Sequence, residues 1–91
     1  MIKNVYSVFD SVSGSFGDPF CAISDAVAQR IIKNSMLGSS GEFFRVNSGD
    51  FSLSYIGSFN DSDGSFEPCF PVRCVCQLSI LAQESVSSVE E

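Results

Sequence analysis

Asp50-Phe51-Ser52-Leu53-Ser54-Tyr55-Ile56-Gly57-Ser58-Phe59 is the stretch that decides the fold. Phe51, Leu53, Tyr55 and Phe59 recur at a period of two, with Gly57 between the last two, while Ser52, Ser54 and Ser58 take alternate places. A strand buried on one face produces this pattern, because successive side chains point to opposite sides of a sheet. Asn60-Asp61-Ser62-Asp63-Gly64 then reads as a hairpin turn, with glycine where a positive φ is needed. Phe66 begins the return strand. An antiparallel pair therefore forms the centre of the fold.

Beyond Pro68 and Pro71, the residues Phe70, Val72, Cys74, Cys76, Leu78, Ile80 and Ala82 hold every even position. This alternation predicts a long strand ending near Gln83. A helix from Val75 to Gln83 is the alternative, since Val75, Leu78, Ser79 and Ala82 would line one side of it. Residues 84–91 form an acidic Ser/Glu-rich tail, expected to fray. Upstream, residues 2–9 read as a strand with Val5 and Phe9 on one face and Tyr6 and Val8 on the other. Residues 11–17 are a turn-rich link, and Asp18-Pro19 imposes an extended step before a short strand at Phe20–Ile23. Ser24 is a natural N-cap for a helix over residues 25–36, with Asp25 in its first turn near the positive end of the helix dipole. Val27, Ala28, Ile31 and Ile32 mark its apolar side, and Gly38 is its expected stop. Phe43–Val46 reads as a further short strand. The order β-β-α-β-β-β-β gives an α+β fold: a mostly antiparallel sheet of about five strands with one covering helix, forming a single domain over residues 1–83.

Composition narrows the chemistry. The 91 residues include 5 Lys+Arg, 11 Asp+Glu, no His, no Trp and 9 Phe, for a formal net charge of −6. Without histidine there are no Ser-His-Asp triads, Cys-His pairs or imidazole metal ligands. Residues 1–60 hold four basic and five acidic side chains, and residues 61–91 hold Arg73 alone against six acids. The acidic balance argues against phosphate binding by the whole surface, which needs clustered Lys and Arg. It leaves room for a basic patch in the near-neutral first sixty residues. The longest apolar run is four residues, Phe20–Ile23, too short to span a bilayer, so no membrane role is expected. Nor is a signal peptide expected, since the strand-like N-terminal pattern meets Asp10 before any apolar region develops, and the four cysteines are expected to stay reduced in a cytosol.

No constellation points to catalysis or to a metal. Cys69-x4-Cys74-x-Cys76 lacks the two close pairs of a structural zinc site, and small buried thiols are the expected role, with Cys74 and Cys76 on one strand face. Asp61-x-Asp63-Gly64 resembles part of a calcium loop, but Phe59 and Phe70 would fall on its first and last ligand positions. No cofactor is expected, and the chain reads as a non-enzyme. Single-strand binders stack bases on exposed rings beside cations. The candidate nucleic-acid contacts are accordingly Lys3, Arg45 and Arg73 for phosphate and Tyr6 and Phe43 for stacking, with Arg30 and Lys33 as a second set.

Several stretches together resemble one family, the small nonstructural protein of gokushoviruses, the single-stranded DNA phages of the Microviridae. Val5-Tyr6-Ser7-Val8-Phe9-Asp10 is similar to its opening V-Y-x-V-x-D strand, and Phe16-Gly17-Asp18-Pro19-Phe20 to its F-x-x-P-F element. Ala28-x-Arg30 falls at its A-x-R helix, and residues 50–59 resemble its D-F-x-L-x-x-I-G-x-F strand, closed by Asp63-Gly64-Ser65-Phe66. The resemblance covers residues 5–68 and departs from the pattern at Asn47-Ser48-Gly49, which lacks a proline. It implies a nonstructural phage protein in the cytoplasm of a bacterial host that assists single-stranded DNA synthesis or packaging by binding that DNA. The competing class is a protein-interaction module for a capsid, scaffold or host protein, docking through an exposed strand edge. Self-association into a homo-oligomer suits either class, because a small open sheet leaves edges to cover.

Overall fold

A computed structural model describes residues 1–37 and 41–83. The expected stop at Gly38 and the tail at 84–91 lie outside the described residues. β1 (Ile2–Asp10), β2 (Ser15–Phe16), β3 (Phe20–Ala22), β4 (Phe51–Asn60) and β5 (Phe66–Gln77) form one five-stranded sheet. β1 pairs with β4 along its whole length on one side, and with β3 and then β2 on the other. β4 pairs with β5, which is the outer strand. Every pairing is antiparallel, and the α+β expectation holds.

One face of the sheet is covered by α1 (Asp25–Ser35), the helix foreseen from its cap and spacing. The Ser24 side chain accepts the Val27 amide at 3.2 Å, which satisfies one of the unpaired N–H groups of the first turn. Ala28 is fully buried, Val27 and Ile32 pack against the core, and Ile31 is exposed. Tyr6, Leu53, Phe51, Ala22 and Met36 complete the core under the helix.

Three local expectations are corrected. Phe43–Val46 belongs to a short helix, α2 (Glu42–Val46), rather than a strand. A strand would send the two adjacent rings to opposite sides, whereas the helical turn brings both onto Phe51, at 5.9 Å for Phe43 and 4.9 Å for Phe44. β5 ends at Gln77, and residues 78–83 are helical. Leu78, Leu81 and Ala82 are buried there at helical spacing, so the alternative reading holds for this segment only. The face assignment within β4 also changes half-way. Tyr55 lies opposite Tyr6 but Gly57 lies opposite Val5, leaving Ile56 as an extra residue. This β-bulge moves Phe59 onto the sheet face away from α1.

β5 carries two irregularities of its own. Tyr55 faces Arg73 and Gly57 faces Pro68, so Cys69-Phe70-Pro71-Val72 loops outward opposite a single β4 residue, and the Phe70–Pro71 peptide is cis. Phe70 is 92% exposed at its tip. A second shift places Cys74 opposite Ser54 and Cys76 opposite Leu53, which puts them on opposite faces rather than one. Nor are the cysteines buried as expected. Cys21 and Cys74 are exposed and Cys69 and Cys76 half-buried, because Cys21 turns to the face without a helix and the others lie on the outer strand.

Candidate functional site

Seven side chains were candidates for a nucleic-acid surface, and the fold distributes them. Arg73 stands opposite Tyr55 on the helix-covered face, with its guanidinium carbon 4.8 Å from the centre of that ring. Lys3 stands opposite Phe59 on the other face. Its ammonium lies 3.6 Å from Asp61, a carboxylate that also accepts the Met1 ammonium at 2.7 Å. Arg45 on α2 donates to the Met36 carbonyl at 2.6 Å, which ties α2 to the end of α1. Arg30 is exposed and Lys33 half-buried on α1. Phe43 is 63% exposed. Tyr6 has no exposed surface, so it cannot act as a stacking ring. It was assigned to the wrong side because alternation fixes which residues share a face but not which face the helix covers.

The structure does join two of the seven, through a residue the sequence reading placed only as a helix-start acid. Asp25 accepts the Tyr6 hydroxyl at 2.6 Å and the two forks of Arg73 at 3.0 and 3.1 Å, and Asn4 donates to the Tyr6 oxygen at 3.0 Å. Forty-eight residues separate Asp25 from Arg73, so no local signal could have shown the pair. The Arg73 hydrogen bonds, followed by that of Tyr6, hold the Asp25 carboxyl below its usual range. Burial, then the bond to the Asp25 carboxylate, raises the Tyr6 hydroxyl above its ordinary value. The network pins the start of α1 to the centre of the sheet and leaves Arg73 committed to a protein partner.

Its pH dependence has a definite sign. A carboxyl depressed by folding stabilises the native state above its unfolded value and loses that contribution as pH falls through the folded one. A hydroxyl raised by folding contributes below pH ~10 and loses its contribution as pH rises. Denaturant titrations should therefore show stability falling below about pH 4, and by less in Asp25→Asn than in the parent chain. An identical acid limb in both proteins would show that this network carries no titrating stability.

A concavity lies elsewhere, at the end of the same sheet face where α1 stops. It has a volume of about 450 Å³ and is walled by Phe20, Phe44, Phe51, Met36, Ile32 and Leu78, with Phe16 and Phe43 at its mouth. Asp10 and Asp18 also line it, and no Lys or Arg does. Of the seven expected residues only Phe43 belongs to it. Gly41 makes the wall tight: it is buried against α1, and a Cβ there would clash with the Ser35 carbonyl and come within 2.7 Å of Met36 Cα. A second hollow on the opposite face is lined by Val5, Cys21, Ile56, Phe59 and Phe66. Among the described residues no three His, Cys, Asp or Glu gather as metal ligands, and no helix is long and apolar enough to cross a membrane.

The model of the phage ORF5 protein family matches residues 3–81. The chain belongs to the phage ORF5 protein family. That match spans β1 through the helical residue Leu81 and so includes both the Asp25 network and the aromatic cleft. It also agrees with the viral character implied by the motifs quoted above. Neither the curated proteins nor the solved structures gave a match to this ORF5-family chain.

Proposed function

We propose that this ORF5-family protein is a nonenzymatic accessory factor of a gokushovirus-like phage, acting inside the bacterial host in single-stranded genome synthesis or packaging by binding another polypeptide at the aromatic cleft. The observation that carries this reading is the separation of rings from cations. Exposed phenylalanines surround an apolar hollow without a basic side chain. Lys3 and Arg73 lie on opposite sheet faces, and Lys3, Arg45 and Arg73 each bind a protein group. Phosphate recognition gains its free energy from clustered cations that release counterions, whereas a concave apolar site with few polar groups suits a side chain or a short segment. The cleft is preferred to a strand edge as the contact, because Pro68 and Pro71 deprive β5 of amide donors.

Direct binding of single-stranded DNA is the competing reading, and two experiments separate them. Fluorescence anisotropy with a short labelled single-stranded oligonucleotide should show no saturable binding at low salt. Micromolar binding that weakens steeply with added salt would favour the DNA reading. Benzoylphenylalanine in place of Phe43 should, on irradiation in phage-producing cells, give an adduct with one phage or host protein. Adducts with DNA and none with protein would reject the proposal.

A further inference from the structure

The walls of the cleft also specify the chemistry of what enters it. We infer that its occupant is a cationic amphipathic segment of a partner protein, with apolar side chains seated among the rings and Lys or Arg on the acidic rim; this rests on the protein-binding reading of the same cleft.

Two features combine. The apolar wall offers Phe44 and Phe51 in a tilted pair at 4.9 Å and Phe43 edge-on to both, a surface that can receive a Leu, Ile or Phe side chain. The charged lining is of one sign: Asp10 and Asp18, without a counterion from Lys or Arg among the lining residues. Asp10 spends one oxygen on the Val12 amide at 2.9 Å, which fixes the carboxylate at the mouth without neutralising it. Ser35, the last residue of α1, and its C-cap Met36 line the same hollow; Lys33 in the last turn and Arg45 on the Met36 carbonyl offset the negative end of the helix dipole, so the acidic character of the lining comes from the two carboxylates. Like charge works against residues 84–91 of this chain as the occupant, since their sequence holds Glu84, Glu90 and Glu91 and no Lys or Arg. A cationic segment satisfies both the wall and the rim. Nucleic-acid-binding proteins carry clustered Lys and Arg, so a cationic occupant fits the proposed process.

The test uses the full chain and two fluorescein-labelled probe peptides. One places leucines along one helical face and lysines on the other, and the second replaces every lysine by glutamate. The Lys/Leu peptide should bind with a micromolar Kd and the Glu/Leu peptide about tenfold more weakly or worse. D10N together with D18N should weaken the Lys/Leu peptide by about threefold or more. D63N together with E67Q, which removes the same charge from the remote hairpin and β5, should change it by less than about twofold. Circular dichroism of each variant confirms that the fold persists. Equal losses in the two double variants would mean bulk attraction to an acidic protein and would overturn the inference. Equal affinity for the two peptides would also overturn it while leaving the cleft as a protein-binding site. Failure of both peptides, together with the absence of a protein adduct at position 43, would remove the underlying reading as well.

Discussion

Gly57→Ala is expected to destabilise the protein by about 2–3 kcal/mol, one of the largest effects available from a single methyl group. A Cβ at this position would clash with the Phe66 ring and come within 2.6 Å of the Glu67 carbonyl oxygen. The first obstacle is a side chain that can swing away. The second is backbone, held in the β4–β5 ladder by the pairing of Ser58 with Glu67 and Phe59 with Phe66. Relief therefore requires the two strands to separate at the point where the chain switches sheet faces. For a domain of this size the loss corresponds to a fall in Tm of roughly 10–20 °C. The double variant distinguishes the two contacts. Phe66→Ala should recover less than half of the cost of Gly57→Ala, because the carbonyl remains. Full recovery in thermal melts would assign the tightness to the ring alone.

Leu53→Ala should cost about 3 kcal/mol through a different mechanism. Leu53 has no exposed surface and sits in the middle strand of the β1–β4–β5 ladder, opposite Val8 on one side and Cys76 on the other. Its truncation removes transfer free energy and leaves a void that three hydrogen-bonded strands cannot collapse around. A chain whose total stability is on the order of 5–10 kcal/mol would remain folded at room temperature with a much reduced denaturant midpoint. An unchanged midpoint would mean that Leu53 is not at the centre of the core. Neither substitution touches the cleft mouth, so peptide binding at low temperature should survive both.

Local rules and pairing rules divided the sequence between them. α1 was legible because Ser24, Asp25 and the spacing of Val27, Ala28 and Ile32 all act within a few residues of one another. The β4 pattern was legible as far as Tyr55. Past it, the bulge at Ile56 depends on which β1 residue stands opposite, and no period within β4 records that. The turn at residues 78–83 could be seen as an alternative because Leu78 and Ala82 satisfy both the strand and the helix period. Phe43 and Phe44 misled for a tertiary reason: both rings pack on Phe51, the first residue of β4. The candidate site was less legible than the fold. Counting cations and rings named Lys3, Tyr6, Arg45 and Arg73, but partners set by the fold, namely Asp61, Asp25 and a carbonyl at the end of α1, determine what each one does.

The short outer strands and the interrupted one have a consequence for how the chain fares at high concentration. A growing cross-β fibre needs a long, flat row of free amides and carbonyls. Here one side of the sheet ends in β2 and β3, of two and three residues, and the other in β5, broken by Pro68, Pro71 and the outward loop between Pro68 and Arg73. Nine phenylalanines in 91 residues would otherwise make an aggregation-prone ribbon. The irregular edge that blurred the reading of β5 also denies amyloid a template.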